Sequence, residues 1–344
     1  MKKILPIISL ILCGITVIFT FTFGIYHLSK DKENISKEYK CIITLWHVDT
    51  FEGGTGSRKQ FLQNQAKNFE KKNKGVFIMV TSYNIEGVKE QLAKGNYPDI
   101  LSYGNGIDVK NLSEINSNLS FSASEINNKK YAFPWCRGGY VLIKNKNLKS
   151  EKYKNITISK GQYSQPLLAL FLELEQGELH KEFSNDFSNY EINVLSPTKA
   201  YSNFVIGKTK YLLGTQRDVY KLLARGIDFE SIPLTQFNDL YQYVSTTTLN
   251  VEKKFYADAF INFLLQEKEQ KKLSQISMFS NYFSVDYENN TLKNMQLTKN
   301  SFTISPFISQ GELTKLESLS LNAIKGNKEE INKIKNLLFC LEKY

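Results

Sequence analysis

The chain has 344 residues, and its 44 Lys and Arg against 34 Asp and Glu give a formal net charge of +10. This length is more than one hydrophobic core comfortably holds, so we expect two lobes. The lysines are dispersed and no nucleic-acid reader motif accompanies them, which argues against nucleic acid as a partner. A basic exterior that faces anionic lipid and wall polymers is a sufficient explanation of the charge.

The N-terminus has the pattern of a membrane segment. Met1–Lys3 is followed by an apolar run, Ile4–Leu28, without Asp, Glu, Lys or Arg. At about 1.5 Å per residue this run can cross a hydrocarbon core of about 30 Å. The two lysines should stay inside, which places the rest of the chain outside the cell membrane. We favour an uncleaved anchor, residues 1–28, because Leu12 occupies the place of a small residue; lipid attachment at Cys13 and simple cleavage are the alternatives.

Residues 29–40 are charged and lack apolar periodicity, which is typical of a solvated tether. After the anchor, Cys41, Cys136 and Cys340 stand at unrelated spacings, without a CxxC pair or a Cys/His cluster. We therefore expect no disulfide framework, no metal site and no cofactor.

The chain after the tether alternates between strand and helix patterns. We predict strands at 41–46, 76–80 and 98–103, separated by helices at 58–72 and 85–94. Short connections between such elements indicate a parallel sheet with right-handed crossovers, and therefore an α/β fold. Further along, we predict a strand at 140–143 and helices at 161–181, 253–273, 312–323 and 328–341.

Four stretches, in order, are similar to a known family. They are Ile42–His47 with Gly95 and Pro98-Asp99; Lys130–Pro134 with Tyr140–Asn145; Phe204–Gly214; and Ala257–Leu273. Together they resemble the extracellular solute-binding proteins of ABC importers, in the branch that includes maltose- and oligosaccharide-binding members. The third stretch departs from the family pattern, because Lys210-Tyr211 replaces its Ala-Met pair.

This resemblance implies a two-lobed, periplasmic-binding-protein-like fold with a ligand cleft between the lobes, preceded by the transmembrane helix. Residues 41–138 and 242–304 would form the first lobe, and residues 139–241 and 305–344 the second. The chain would act as a monomer that closes on a small-molecule solute by hinge motion and delivers it to ABC permease subunits. We place the crossings between lobes near residues 135–139, 241–245 and 305–307.

The glycine-rich stretch between the first strand and the first helix is the sharpest local feature. We assign ligand contacts to Glu52, Gly53, Gly54, Thr55, Gly56, Ser57 and Arg58. Glycines let the backbone approach a ligand, and a helix N-terminus presents unpaired N–H groups. The lysine of a nucleotide P-loop is absent at the proper spacing. The alternative is a flexible turn capped by Ser57.

Arginine is rare in this chain: Arg58, Arg137, Arg217 and Arg225 stand against forty lysines. The first three fall in predicted cleft loops, where a planar guanidinium is hard to replace by lysine. Their placement extends the candidate ligands from sugars to anionic sugar derivatives, with chance clustering as the alternative.

Aromatic and amide side chains complete the candidate site. Flat rings can stack on pyranose C–H faces. We assign this role to Trp46, Tyr103, Trp135 and Tyr241, with core packing as the alternative for each. Many relatives carry a tryptophan after the segment matching Gly214-Thr215, but this chain has Gln216, Arg217 and Asp218. That departure favours a hydrogen-bonding ligand, either neutral or charged. Asn105, after the third strand, is a further candidate contact.

Catalysis has little support from the sequence. Asp49, Glu52 and Asp99 could suggest a glycosidase pair, but nothing marks an acid partner. We therefore expect a binding protein and not an enzyme, for a carbohydrate or sugar derivative. The alternative is an anchored ligand sensor of the same fold that serves a signalling partner.

Overall fold

The computed structural model describes residues 40–148, 154–176, 190–298, 302–325 and 327–341, with a few isolated residues outside these ranges. Apart from Gly14, Thr16 and Phe19, the predicted anchor, 1–28, lies outside the described residues, and so does nearly all of the predicted tether. Within the part of the chain that the structure describes, no helix is long and apolar enough to cross a membrane.

The elements alternate along the chain as the sequence predicts. The strands are β1 (Cys41–Val48), β2 (Val76–Tyr83), β3 (Ile100–Tyr103), β4 (Glu125–Ile126), β5 (Lys129–Lys130), β6 (Phe133–Arg137), β7 (Tyr140–Asn145), β8 (Asn155–Ser159), β9 (Glu191–Leu195), β10 (Tyr211–Thr215), β11 (Phe229–Pro233) and β12 (Tyr241–Thr246). The helices are α1 (Arg58–Lys72), α2 (Ile85–Ala93), α3 (Pro166–Gln176), α4 (Pro197–Val205), α5 (Gln216–Ala224), α6 (Val251–Leu264), α7 (Glu267–Gln270), α8 (Asn290–Leu297), α9 (Gln310–Ile324) and α10 (Lys328–Leu341).

The first lobe is built on a five-stranded sheet in the order β2-β1-β3-β12-β6. Strands β2 and β3 both pair parallel to β1, which confirms the parallel sheet predicted from the alternating pattern. Strand β12 returns antiparallel between β3 and β6. Helix α1 buries its predicted apolar stripe, which includes Phe61 and Phe69, over this sheet.

The second lobe is built on a five-stranded sheet in the order β11-β7-β10-β8-β9. Strand β8 pairs parallel with β9 and β10, whereas β7 runs antiparallel to β10 and β11. Helix α3 is buried along most of its length, and α9 packs against it. The two sheets give the α/β, two-lobed architecture that the sequence predicts.

Within the described residues, the chain passes between the two sheets at three places. Gly138 and Gly139 join β6 to β7, and residues 234–240 join β11 to β12. The third passage lies between α7 and α8. There, Arg137 and Phe279 exchange two backbone hydrogen bonds of 2.8 and 2.9 Å. The sequence division assigned 242–304 to the first lobe, but α8 contacts α5 and β11 of the second sheet. These contacts group α8 with the second lobe.

Candidate functional site

A cleft cavity lies where the two lobes meet, beyond the carboxyl end of β1. Its volume is about 540 Å³. The first lobe lines it with residues 49–53, Arg58 and Ile85, and the second lobe with residues 160–162, Ser196 and Pro197. Open α/β sheets bind ligands at this position, beyond the carboxyl ends of parallel strands.

Arg58 is a buried anchor of the loop between β1 and α1, with only 4% of its surface exposed. Its Nε lies 2.6 Å from Asp49 Oδ1, and its guanidinium sits 4.4 Å from the centre of the Phe51 ring. The two terminal nitrogens donate to Gln242 Oε1, at 3.3 Å, and to the Phe51 carbonyl. Each nitrogen of the guanidinium therefore has a protein partner, and the two terminal nitrogens each carry a second N–H group besides.

Asp49 presents a carboxylate to the cleft cavity, and 54% of its side chain is exposed. Burial raises its pKa, but the hydrogen bond from His47 and the charge of Arg58 outweigh burial and lower the pKa to about 2. Asp49 is therefore ionised at neutral pH.

The buried imidazole of His47 orients Asp49 from behind. Its Nε2 lies 2.9 Å from Asp49 Oδ1, and its Nδ1 lies 3.0 Å from Ser102 Oγ. Burial lowers the pKa of His47, which favours the neutral ring. A neutral ring that donates from Nε2 accepts at Nδ1, so the Ser102 hydroxyl donates to it.

Trp135 belongs to the same buried network and does not line the cleft cavity. Its Nε1 donates to Ser102 Oγ at 3.0 Å, and its ring stacks on Phe61 with centroids 5.6 Å apart. Gln242 Nε2 donates to Ser102 as well, at 3.2 Å. Trp135 is fully buried, so its contacts are those of a core residue.

Residues 53–57 are half-buried or exposed, and several of them contact the protein. A methyl group on Gly54 would lie 2.1 Å from the Ile276 carbonyl oxygen, so only glycine fits there. Thr55 Oγ1 lies 2.7 Å from Ser277 Oγ, and Gly56 has a φ of +72°. Ser57 caps α1 by accepting from Gln60 N, at 3.2 Å. Glu52 and Gly53 line the cleft cavity, whereas residues 54–57 hold the loop in place.

The start of α5 brings three predicted residues to the lobe interface. Arg217 Nη1 lies 3.2 Å from Glu52 Oε2, an ion pair without hydrogen-bond geometry that brings the second lobe against the first. Gln216 is buried and accepts a 3.0 Å hydrogen bond from Gly139 N. Asp218 caps its own helix by accepting from Thr215 N, and burial raises its pKa to about 6.

Three predicted contacts lie in the first lobe away from the cleft cavity. Tyr103 is fully buried, with its hydroxyl 3.0 Å from Ser245 Oγ. Asn105 Nδ2 donates to the Asp239 carbonyl at 3.0 Å. Trp46 is half-buried, with its ring 4.8 Å from that of Tyr83. The structure does not bring these three side chains to the cleft cavity.

Arg137 and Tyr241 line a second cavity, of about 570 Å³, at the crossings between the lobes. Phe121, Tyr282 and Phe283 supply further aromatic lining. Arg137 is buried and donates to the carbonyls of Ser280 and Gln296. Neither side chain lines the cleft cavity.

Of the three carboxylates considered for catalysis, Asp49 and Glu52 line the cleft cavity, whereas Asp99 does not. Asp99, at the opposite end of the sheet, accepts from Thr44 N at 2.8 Å and pairs with Lys253 at 3.1 Å. Among the described residues, no group of three or more His, Cys, Asp and Glu could hold a metal ion.

The sequence interpretation missed the contacts that hold the lobes together beside the cleft cavity. Lys89 Nζ lies 2.6 Å from Tyr163 Oη and 2.7 Å from Gln310 Oε1, both in the second lobe. Gln162 Nε2 donates to Glu86 Oε1 at 3.3 Å. These residues carry no local motif, because their role depends on how the lobes meet.

The similarity of this chain to known proteins is found in structure. No family model matches the sequence, and the search of curated proteins finds no significant match. The sugar-binding protein MalE from Xanthomonas citri is similar in structure, with 14% identity and a TM-score of 0.59 over 88% of this chain and 96% of that chain. The chain has the fold of the sugar-binding solute-binding proteins of ABC importers. This fold is the one that the four stretches predict.

Two further structures show how broad this fold is. The cyclic alpha-maltosyl-1,6-maltose binding protein from Arthrobacter globiformis has 10% identity and a TM-score of 0.58, covering 88% of this chain and 99% of that chain. Iron-bound HitA from Pseudomonas aeruginosa has 13% identity and a TM-score of 0.50, covering 81% and 99%. At these identities the similarity establishes the fold alone, so the ligand must be argued from the cleft.

Proposed function

We propose that the chain is an extracytoplasmic binding protein that captures a neutral, polyhydroxylated solute, an oligosaccharide or a sugar derivative. It delivers this solute to the permease subunits of an ABC importer and breaks no bond in it. The N-terminal segment anchors the protein to the cell membrane, and the protein acts as a monomer. The fold supports solute binding, and the charge arrangement in the cleft supports a neutral solute.

The observation that carries the proposal is the pairing of charges around the cleft cavity. Each charged side chain described in its lining has an opposite partner: Asp49 with Arg58, Glu52 with Arg217, and Lys160 with Glu317 at 2.8 Å. An anionic ligand would need a cation that is not already paired. The pairing therefore favours a neutral solute over the anionic derivatives that the arginines suggested.

A neutral sugar can be held here by hydrogen bonds. The exposed part of the Asp49 carboxylate accepts from sugar hydroxyls, and hydrogen bonds to an ionised acceptor are stronger than neutral ones. Arg58 and His47 keep this carboxylate ionised and fixed in orientation before the ligand arrives. Such preorganisation reduces the entropic cost of binding.

Closure of the lobes is the second part of the proposal. Glu52 meets Arg217, and Lys89 meets Tyr163, across the interface. A hinge through the three passages would break these contacts on opening and remake them on closing. A solute that bridges the lobes adds to the same contacts and favours the closed state.

The test is a thermal-shift screen of the full chain with neutral oligosaccharides, sugar acids and sugar phosphates. We expect at least one neutral oligosaccharide to raise the melting temperature, because a ligand that binds only the native state stabilises it. No shift with any of the three classes would reject the carbohydrate assignment. A shift with the acids or phosphates alone would reject a neutral ligand.

A further inference from the structure

The second cavity, at the crossings between the lobes, differs from the cleft cavity in its charge. Its volume of about 570 Å³ lies within the range of about 300–1,000 Å³ that is usual for small-molecule sites. Among the described residues that line it, Arg137 alone is charged. Ser122 and Ser284 also line it and are exposed, so the cavity is open to solvent. We call it the hinge cavity, and it shares no lining residue with the cleft cavity.

Arg137 is a buried cation without a carboxylate partner. Only 7% of its surface is exposed, and its Nε and Nη2 donate to the carbonyls of Ser280 and Gln296. Within the part of the chain that the structure describes, no Asp or Glu pairs with it and no hydrogen bond occupies its Nη1. The arginines beside the cleft cavity, by contrast, each pair with a carboxylate.

An unpaired charge at this depth can be stabilised by an anion. Arginine remains protonated in proteins, and burial of a charge costs free energy unless opposite charges or hydrogen bonds compensate. Burial lowers the pKa of Arg137, with only tyrosine side chains acting against this shift. The two backbone carbonyls compensate part of the cost. An anion in the hinge cavity would add a charge-assisted hydrogen bond at Nη1, which is stronger than a neutral one.

Aromatic rings supply the apolar part of the lining. Phe121 and Tyr241 belong to the first lobe, with their ring centroids 5.5 Å apart. Tyr282 and Phe283 follow the third passage, with their ring centroids 6.5 Å apart. The end of α8 adds a wall from the second lobe. Aromatic side chains pack favourably against another flat ring, in stacked or edge-to-face contact.

We propose that the hinge cavity binds a small organic carboxylate that carries a planar ring. The carboxylate accepts from Nη1 of Arg137, and the ring packs against the aromatic side chains. Because the lining comes from both lobes, the bound anion contacts both of them beside the crossings. The inference rests on the fold and not on the neutral-sugar assignment, since the two cavities are separate.

The test is calorimetric titration of benzoate, and of its neutral isostere benzamide, into the full chain. The two probes share the ring and differ in charge. We expect benzoate to bind at least tenfold more tightly, because only the anion pairs with Arg137. Arg137→Gln removes the charge and keeps an amide donor, so it should abolish the preference. Arg225→Gln is the matched control, because it removes the same charge from an exposed position, and it should keep the preference.

A second variant tests the aromatic wall with Arg137 intact. Phe283→Ala should weaken the binding of both probes at least threefold and keep the preference for benzoate. Where Arg137→Gln does not fold, this variant decides, and unchanged affinities would overturn the proposal. Equal binding of the two probes by the wild type, or a preference that survives Arg137→Gln or is lost in Arg225→Gln, would overturn it as well. Failure of sugar binding with the benzoate preference intact would reject only the neutral-sugar assignment.

Discussion

At the scale of single residues, Arg58 shows how neighbours in space give a side chain contacts that the sequence pattern does not reveal. The sequence marks it correctly as unusual, since it is one of four arginines. Its neighbours in space, Asp49 and Gln242, decide its use, and Gln242 comes from a distant strand. No local pattern encodes that meeting. Asp49, which the sequence interpretation treated only as a weak catalytic candidate, presents the exposed charge instead.

Replacing Arg58 by alanine should destabilise the fold as well as weaken binding. The change removes charge-assisted hydrogen bonds to Asp49, Gln242 and the Phe51 carbonyl. We expect a loss of about 2 kcal/mol in the free energy of unfolding, measured by urea denaturation. Arg225→Ala is the control, because Arg225 is exposed, and it should change the unfolding free energy by less than about 0.5 kcal/mol. Equal effects of the two variants would contradict the role of Arg58.

Asp239 should make stability depend on pH. It accepts from Tyr140 Oη at 2.7 Å and from Gln165 N at 2.9 Å, and burial raises its pKa to about 7. At a pH between 3.8, the ordinary pKa, and about 7, the pKa in the folded protein, the Asp239 carboxyl is ionised in the unfolded chain and protonated in the folded one. The stability contribution of Asp239 is therefore complete below about pH 4 and is lost as the pH rises through 7.

The measurement is the unfolding free energy at pH 5 and pH 8 for the wild type and Asp239→Asn. Asp218 acts in the same direction, and His47, whose pKa is lowered, acts in the opposite one. Because both proteins contain Asp218 and His47, the contributions of these two residues cancel in the difference between the proteins. We expect the wild type to lose more stability than Asp239→Asn on going to pH 8. An identical change in both proteins would show that Asp239 does not titrate in this range.

At the scale of elements, Gly106 tests whether the lobes close as described. It follows β3 with a φ of +83°, and a methyl group there would lie 2.8 Å from the Tyr163 ring in the second lobe. Gly95 has a φ of +80° and nothing within 4 Å, so it offers the same backbone strain without the contact. Gly106→Ala should prevent full closure, whereas Gly95→Ala should not.

We expect Gly106→Ala to weaken solute binding at least tenfold relative to Gly95→Ala, a difference of about 1.4 kcal/mol. Small-angle scattering should also show a larger radius of gyration for Gly106→Ala. Similar affinities and radii for both variants would mean that Tyr163 does not approach Gly106 in the closed state.

The elements themselves could be predicted where their pattern is local. Helix α1 spans the predicted residues 58–72, because its apolar stripe repeats at helical spacing and Ser57 caps it. The predicted helix 253–273 is instead interrupted: α6 ends at Leu264, and α7 and a 3-10 turn follow. The sequence places Trp135 at the cleft because it stands near a strand end. A strand pattern alone does not show which face of β6 packs against Phe61.

At the scale of the whole molecule, the two-lobed fold could be predicted from four ordered stretches, because each belongs to a different part of the architecture. The electrostatics of the cleft could not be predicted from these stretches. Glu52 and Arg217 belong to different lobes, and their pairing depends on closure. Three arginines in predicted cleft loops extend the candidates to anionic ligands, whereas the assembled cleft pairs its charges.

The most direct test of a neutral ligand is calorimetric titration of a neutral oligosaccharide and its carboxylate derivative into the wild type and Asp49→Asn. We expect the wild type to prefer the neutral sugar. Asp49→Asn replaces the ionised acceptor by a neutral amide and leaves Arg58 without its carboxylate, so it should bind the neutral sugar at least tenfold more weakly and reduce or reverse the preference. A wild type that prefers the acid, or an Asp49→Asn variant with unchanged selectivity, would contradict a cleft built for a neutral solute.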